Sequence, residues 1–454
     1  MRRSILILIS GAAFLADSPS DAQVTQDWAK IYNGPGNGID IAFSVAVDGQ
    51  GNVYITGNSP GATSANDIAT IKYNRAGRRQ WLRRYNGPGN GDDGTNGTNA
   101  IAIDASGNVY VTGWSLGLES TDFVTIKYDA DGIQQWAQRY DGPGNGYDAP
   151  YGVALDGSGN VYVAGVSAGT EKTGDDYTAI KYDPSGQQQW VKRYNGPGNG
   201  YDVAQALTVD AAGNAYVTGY STGVNGLGDC ATIKFDPNGG RLWTKRYNGD
   251  ADGSDYGTSI VVDPAGNVYV TGGSTGSTTN VDYVTIKYNS AGRTRWASRY
   301  SSAGSNWDEG RSVAVDSAGS VYVTGVLAFS EGGTSDDFGT IKYNSSGVEQ
   351  WVQSYDGPAH IADEAFSIAV DAVGNSYVVG YGNGLTSGAD LTTIKYDTGG
   401  VQQWVEAYNG PANSTDTGFD IRLDAKGNVY VSGGSIGTDT SVDYVAIKYS
   451  PVGL

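Results

Sequence analysis

The chain has 454 residues, a formal net charge of −19 and a single cysteine, Cys230. Such a negative charge repels phosphate backbones and anionic lipid surfaces, which argues against nucleic acid and membrane partners. A lone cysteine excludes an intrachain disulfide, and the abundance of glycine (69 residues), tyrosine (32) and tryptophan (10) is typical of short strands separated by turns rather than of a disordered chain.

The first predicted element is a signal peptide, residues 1–22. Arg2 and Arg3 precede an apolar run, 5–16, that is too short to remain in a bilayer as an anchor. The small residues Ser20 and Ala22 suit a signal peptidase, so we place cleavage after Ala22. We therefore expect a secreted or periplasmic protein in which residues 23–454 form one domain, without membrane insertion and as a monomer.

The rest of the chain is an eightfold repeat of about 54 residues. A turn motif, D-x-x-G-[NS], begins at Asp48, Asp104, Asp156, Asp210, Asp263, Asp316, Asp371 and Asp424. The motif I-K-[YF] carries Lys72, Lys127, Lys181, Lys234, Lys287, Lys342, Lys395 and Lys448. A tryptophan recurs at Trp28, Trp81, Trp136, Trp190, Trp243, Trp296, Trp351 and Trp404. Spacings within each series stay between 52 and 56 residues, which predicts one structural unit repeated eight times.

Each repeat contains four predicted strands, a to d, which in the first copy are 43–48, 52–57, 67–73 and 80–85. The a–b and c–d turns are short and share one rim, the short-turn face. The d–a and b–c loops are longer and share the opposite rim, the long-loop face. This pattern predicts an all-β fold, an eight-bladed β-propeller of four-stranded antiparallel blades.

The phase of the repeat predicts how the ring closes. The chain begins with an isolated strand d around Trp28, and its last repeat ends at strand c near Tyr449. We expect the N-terminal strand to pair into the last blade.

The consensus W-x-x-x-Y-N-G-P-G-N-G-x-D … V-D-x-x-G-N-V-Y-V-T-G … D-Y-x-T-I-K-Y-D-x-x-G-x-x-x-W resembles the bacterial β-propeller repeat family known as SBBP, over residues 23–454. The resemblance implies an extracytoplasmic propeller and no particular reaction, and the eight copies here differ from the seven blades for which the family is named. A weaker similarity to the tryptophan repeats of quinoprotein dehydrogenases and outer-membrane assembly scaffolds rests on Y-D-x-x-G-x-x-x-W, as in Tyr182 to Trp190.

Two series of aspartates face the long-loop rim. One precedes strand c in all eight copies, five residues before the lysine. The other opens strand a, eight residues before the turn aspartate, with Asn96 in its place in the second copy; its members are Asp40, Asp148, Asp202, Asp255, Asp308, Asp363 and Asp416. If strand a is innermost, this second series rings the channel mouth and is a candidate site for a cation or cationic ligand. The alternative is that each aspartate caps N–H groups of its own loop.

Further candidates lie in the long loops. Asp250, Asp252 and Asp255 place oxygen ligands at alternate positions, a hint of calcium, although the full calcium-loop signature is absent. Trp114 and Trp307 stand outside the tryptophan series and are candidates for stacking on sugar rings or for packing under their loops.

The buried strand lysines need partners, for which we expect the recurring aspartates or the tryptophan rings. His360 is the only histidine, which excludes multi-histidine metal sites and leaves no recognisable catalytic triad.

The leading hypothesis is a non-catalytic binding module whose ligand, a glycan, protein or cation, lies on the long-loop face, because binding surfaces usually sit on loops held by a rigid scaffold. Apart from calcium, we expect no cofactor. One alternative is an enzyme, either a quinoprotein-type dehydrogenase, for which the adjacent cysteine pair is missing, or a polysaccharide-cleaving propeller. A third is a cell-envelope assembly scaffold.

Overall fold

The computed structural model describes residues 24–170, 174–277, 280–302, 307–328 and 336–452. Over these ranges the chain forms 33 strands in eight antiparallel sheets, the eight blades of a β-propeller. The predicted signal peptide lies outside the described residues. Within them, no helix has the length and apolar character needed to cross a membrane.

Blades 1 to 4 follow one another along the chain. Blade 1 comprises β2 (Ile41–Val47), β3 (Val53–Pro60), β4 (Asn66–Tyr73) and β5 (Arg79–Tyr85). Blade 2 comprises β6 (Asp93–Gly94), β7 (Ile101–Ile103), β8 (Val109–Leu116), β9 (Thr121–Tyr128) and β10 (Gln134–Tyr140). Blade 3 comprises β11 (Asp148–Leu155), β12 (Val161–Ala168), β13 (Asp175–Tyr182) and β14 (Gln188–Tyr194). Blade 4 comprises β15 (Asp202–Val209), β16 (Ala215–Thr222), β17 (Gly228–Phe235) and β18 (Arg241–Tyr247).

Blades 5 to 8 complete the ring. Blade 5 comprises β19 (Asp255–Val262), β20 (Val268–Thr275), β21 (Val281–Tyr288) and β22 (Thr294–Tyr300). Blade 6 comprises β23 (Glu309–Val315), β24 (Val321–Ala328), β25 (Asp336–Tyr343) and β26 (Glu349–Tyr355). Blade 7 comprises β27 (Glu364–Val370), β28 (Ser376–Gly384), β29 (Gly388–Tyr396) and β30 (Gln402–Tyr408). Blade 8 comprises β31 (Asp416–Leu423), β32 (Val429–Ile436), β33 (Val442–Pro451) and the N-terminal β1 (Val24–Tyr32).

The N-terminal strand closes the ring, as the phase of the repeat predicts. β1 runs antiparallel to β33, with Trp28 opposite Lys448 and Ala29 opposite Ile447. The first and last parts of the chain thus share one sheet.

Hydrophobic packing between neighbouring blades forms the core. The cluster between blades 8 and 1 joins Tyr430 and Tyr444 to Val45, Ile55 and Ile71. Strand a of each blade contacts strand a of its neighbours, so strand a is innermost. Strands covered on both faces explain why their sequences are apolar on both sides.

The short-turn face is held by the turn aspartates. In blade 1, Asp48 Oδ1 accepts the N–H groups of Gln50 and Asn52, both at 2.9 Å, and Oδ2 accepts the hydroxyl of Tyr54 at 3.0 Å. Gly51 adopts φ +80°, the left-handed conformation that this bulged turn requires. Burial opposes ionisation of Asp48, but the hydrogen bonds outweigh it and lower its pKa.

The strand lysines contact tyrosines, so the expectation of tryptophan or recurring aspartate partners is wrong. Lys181 Nζ lies 5.0 Å from the ring centre of Tyr162 and donates to the carbonyl oxygen of Pro237 in the next blade at 2.9 Å. The Trp190 indole donates to the same carbonyl at 3.1 Å. The tyrosine sits opposite the lysine on strand b, which gives it the nearest ring face.

Candidate functional site

The aspartates that open strand a are buried beneath the long loops. Asp148 Oδ2 accepts the Gly142 N–H at 2.7 Å and Oδ1 accepts the Ala168 N–H at 2.9 Å. Burial raises the pKa of Asp148, and these hydrogen bonds partly offset the rise. All seven members of this series are at most 1% exposed, and each accepts an N–H from its d–a loop: Asp40, Asp148, Asp202, Asp255, Asp308, Asp363 and Asp416. Their geometry is that of loop capping. Ligand binding by these aspartates stays a prediction, and their side chains expose almost no surface to a ligand.

In blade 2 the capping residue is Asp93, so the assignment of Asn96 to this place is wrong. Asp93 is fully buried, and its Oδ2 accepts the Gly87 N–H at 2.7 Å. Extra residues between β6 and β7 separate Asp93 from the turn aspartate, Asp104, by more than the usual eight positions. Because of this insertion, counting eight residues back from the turn aspartate does not find the capping residue of blade 2.

A different set of side chains occupies bulges in the innermost strands. Strand a carries a β-bulge in seven blades, and in each one residue is skipped by the pairing with strand b. These residues are Phe43, Tyr151, Gln205, Thr258, Arg311, Phe366 and Phe419. Bulge residues of adjacent blades touch: Phe419 lies 5.1 Å from Phe43 and 5.4 Å from Phe366, between ring centres. Two of the bulge residues, Thr258 and Arg311, also line a cavity between the innermost strands, together with other strand-a residues such as Ile260 and Val313.

An ion pair between a buried carboxylate and a partly exposed guanidinium joins blade 8 to blades 1 and 2. Asp420, fully buried, accepts from the Arg422 guanidinium at 2.5 Å and from the Val45 N–H of blade 1 at 3.0 Å. Arg422 also donates to Thr98 O and Asn99 Oδ1 of blade 2, both at 3.3 Å. Burial raises the pKa of Asp420 to about 6, against the opposing charge of Arg422.

The aspartates before strand c are paired with arginine in blades 1 to 5. The arginine precedes the last tyrosine of strand d, and the pairs are Arg84–Asp67, Arg139–Asp122, Arg193–Asp176, Arg246–Asp229 and Arg299–Asp282, at 2.6–2.9 Å. In blades 1 to 4 the same guanidinium also donates to a serine at the end of strand b, for example Arg139 to Ser115 at 2.5 Å. The carboxylates are thereby neutralised within their own blade.

Blade 6 lacks both of these partners. Ser354 stands where the arginine should be, and Leu327 stands opposite Asp337 at the place of the serine. Asp337 is 7% exposed and has no hydrogen-bond or ion-pair partner among the described residues. One carboxylate oxygen of Asp337 and one each from Asp356 and Asp363 lie within 4.8 Å of one another.

The electrostatics of this cluster are unfavourable for three ionised carboxylates. Burial raises the pKa of Asp337 to about 7, and the charges of Asp356 and Asp363 add to the rise. His360 Nδ1 lies 2.6 Å from Asp356 Oδ2, and this hydrogen bond raises the histidine pKa. The His360 side chain is 75% exposed, as expected for a loop histidine.

The carboxylates of Asp250, Asp252 and Asp255 are not brought together as the calcium hypothesis requires. Asp252 adopts φ +52°, like the asparagines at the same place in other d–a loops, and its Oδ1 accepts the Asn248 side-chain amide at 2.5 Å. Asp255 points inward and caps Gly249 at 2.8 Å. Over the described ranges, this trio is not one of the groups whose carboxylate oxygens converge within 4.8 Å. The segment is a variant of the asparagine-containing d–a loop, in which Asp252 takes the place of the asparagine.

Of the two extra tryptophans, one is packed and one is open to solvent. Trp114 is half-buried against Ala149, Val166 and Val203. Trp307 is 53% exposed on the loop that enters blade 6.

Trp307 belongs to a set that the sequence patterns did not single out. Ile39, Tyr147, Tyr201 and Trp307 each directly precede a capping aspartate, and their exposed fractions are 48–55%. The buried aspartate holds the end of each d–a loop, and the residue that precedes it is exposed to solvent on the long-loop face. The sequence feature that could have revealed this set is a large apolar or aromatic residue immediately before the capping aspartate.

Comparison with known proteins agrees with the repeat. The SBBP β-propeller repeat matches at residues 27–69, 135–171, 189–228, 242–278 and 360–385. No curated protein sequence matches the chain.

Solved structures with similarity to this chain are distant. A eukaryotic initiation factor is 8% identical, with 81% of this chain and 78% of that chain covered and a TM-score of 0.42. A polysaccharide lyase is 11% identical, with 77% and 89% covered and a TM-score of 0.42. Drosophila plexin A, solved in complex with semaphorin 1b, is 10% identical, with 94% and 87% covered and a TM-score of 0.42. No function transfers at this distance, and the fold assignment rests on the sheet order and the repeat. The chain is an eight-bladed β-propeller that matches the SBBP β-propeller repeat at five places.

Proposed function

We propose that this propeller is an exported, non-catalytic binding module that holds a neutral glycan on its long-loop face. The observation that carries the proposal is the set of half-exposed side chains at Ile39, Tyr147, Tyr201 and Trp307, each fixed by the buried aspartate that follows it. Rigid aromatic side chains give large contact areas at small entropic cost, which is why tyrosine and tryptophan are enriched in binding surfaces.

The chemistry of this face favours a neutral sugar. The C–H faces of a pyranose ring are apolar and stack on aromatic rings, while its hydroxyl groups hydrogen-bond to amides and carboxylates at the edge. The loops supply such groups in the exposed Asn199 and Asp252. A net charge of −19 disfavours anionic polysaccharides.

Calorimetric titration of residues 23–454 with soluble neutral polysaccharides, namely a glucan, a xylan and a galactomannan, tests the proposal. We expect at least one of them to bind, and Trp307→Ala or Tyr147→Ala to weaken that binding at least tenfold. Matched controls are Ile133→Ala and Val348→Ala, which remove apolar side chains exposed to a similar degree, 58–59%, on the short-turn face. The controls should bind as the unaltered protein does.

Two results would overturn the proposal. The first is the absence of binding to all three polysaccharides. The second is an equal loss of affinity in the long-loop variants and in the short-turn controls, because it would place the ligand elsewhere or show a general effect on folding.

A further inference from the structure

We propose that blade 6 carries a divalent-cation site, best suited to Ca²⁺, formed by the carboxylates of Asp337, Asp356 and Asp363. This inference is independent of the glycan proposal. The three residues come from different elements: Asp337 is the second residue of strand c in blade 6, Asp356 follows strand d of that blade, and Asp363 precedes strand a of blade 7. The strands are joined at this point by the Asp363 N–H, which donates to Asp336 O at 2.6 Å.

The geometry suits one ion. A Ca²⁺ ion takes oxygen ligands at about 2.3–2.6 Å, so a single ion can bridge oxygens separated by up to about 5 Å. The three carboxylates each offer an oxygen within 4.8 Å of the other two. Asp363 Oδ1 and Oδ2 each accept one backbone N–H, from Asn383 and Gly357, and each oxygen retains a second lone pair.

Asp337 provides the observation that points to a ligand. The residue is 7% exposed, one of its carboxylate oxygens converges with one from each of the other two aspartates, and the described residues give it no hydrogen-bond donor. A buried carboxylate without a partner is costly, and a bound cation removes that cost. Asp356 is exposed, which leaves the ion a path to solvent and room for water ligands.

Blade 2 shows what the same cluster looks like when it is already neutralised. Asp122, Asp141 and Asp148 converge within the same distance, but Arg139 lies 2.6 Å from Asp122 and occupies the place of a cation. The chain thus contains a matched control, with three carboxylates in equivalent positions and a guanidinium among them.

Blades 7 and 8 also lack the arginine, but they differ from blade 6 in two ways that disfavour a cation. Their c-strand aspartates accept a hydroxyl from the same loop, from Ser387 to Asp390 and from Thr440 to Asp443, both at 2.7 Å. An asparagine replaces the third carboxylate, at Asn409 and Asn33. Among the blades as described, three carboxylates without a guanidinium occur together in blade 6.

Calorimetric and thermal-shift titration of the EDTA-treated full chain with CaCl₂, and separately with MgCl₂, tests the site at constant ionic strength. We expect one Ca²⁺ per chain, with a dissociation constant on the order of 10⁻⁴ to 10⁻³ M, because few protein ligands are present. Asp356→Asn removes an exposed ligand and should weaken Ca²⁺ binding at least tenfold. The control Asp141→Asn, at the equivalent position in blade 2, should leave binding unchanged.

Two further variants separate the site from general effects on folding. Ser354→Arg restores the guanidinium of blades 1 to 5; it should abolish Ca²⁺ binding and raise the melting temperature of the metal-free protein. Arg139→Ser removes the guanidinium of blade 2 and should raise the stoichiometry from one Ca²⁺ to two. The proposal is overturned if neither metal produces a shift beyond that of NaCl, or if Asp356→Asn and Asp141→Asn have equal effects. These outcomes are independent of polysaccharide binding.

Discussion

At the scale of single residues, the surroundings of the repeated aspartates decide their chemistry. Turn aspartates such as Asp48 accept several hydrogen bonds that lower their pKa. Capping aspartates such as Asp148 are buried, which raises the pKa despite loop hydrogen bonds. The aspartate near the start of strand c is paired with an arginine in blades 1 to 5, and Asp337 in blade 6 has no such partner. The same side chain therefore supports a turn, a loop or an ion pair according to its neighbours.

Replacing Asp337 by asparagine should stabilise the metal-free protein at neutral and alkaline pH. The raised pKa, about 7 against 3.8, means that the native state binds this proton more tightly than the unfolded chain does. The stability that this proton provides is present below about pH 4 and is lost as the pH rises through 7. With allowance for solvent screening, we expect Asp337→Asn to gain roughly 1–2 kcal/mol at pH 8 and almost nothing at pH 4.

Urea unfolding in EDTA between pH 4 and pH 8 measures this difference. The groups that face Asp337 are Asp336, Asp356, Asp363 and His360, and all of them are retained in the variant. The control Asp122→Asn should be destabilised at pH 7, because it leaves the Arg139 guanidinium without its carboxylate. A stability difference between Asp337→Asn and the unaltered protein that does not vary with pH would contradict the assignment.

At the scale of elements, the tryptophan of strand d fastens each blade to the next. Trp81 lies between Tyr54 of its own blade and Tyr128 of blade 2, at 6.0 and 6.1 Å between ring centres. Its indole N–H donates to Ala130 O in the c–d turn of blade 2 at 3.1 Å, and Lys72 donates to the same carbonyl at 3.0 Å. Strands c and d of one blade thus contribute both packing and polar contacts to the interface between two sheets.

Replacing Trp81 by alanine should cost about 3–5 kcal/mol of unfolding free energy, because the side chain is 7% exposed and leaves a cavity between blades. The matched control is Trp307→Ala, which removes the same side chain from a site that is 53% exposed and should change stability by less than about 0.5 kcal/mol. Guanidinium unfolding of both variants gives the comparison. Equal losses would mean that Trp81 does not fasten the blades.

At the scale of the whole molecule, stability depends on closure of the ring by β1. The strand supplies the outer edge of blade 8 and places Trp28 against Tyr73 of blade 1, at 6.1 Å between ring centres. Without it, β33 becomes an exposed edge and the interface between blades 8 and 1 loses one of its buried aromatic rings.

Deletion of residues 1–33 should lower the melting temperature by many degrees and promote self-association through the free edge of β33. A synthetic peptide of residues 24–33, added in trans, should restore part of the lost melting temperature by pairing with β33. Differential scanning calorimetry and light scattering measure the two effects. An unchanged melting curve after the deletion would refute closure by β1.

The sequence by itself determined the number of blades, the four strands of each and the role of the N-terminal strand. These features follow from local patterns that recur at fixed spacing, so the turn at Asp48 and the pairing of the strand around Trp28 into the last blade could be predicted. Only the tertiary structure decided which polar groups are buried and which side chains meet. The insertion after Asp93 shifts its spacing, and the bulges bring Phe419 against the bulge residues of the neighbouring blades. Asp337, Asp356 and Asp363 converge from three elements of two blades. Convergence of this kind depends on the register and packing of the sheets, and these cannot be read from the spacing of residues along the sequence.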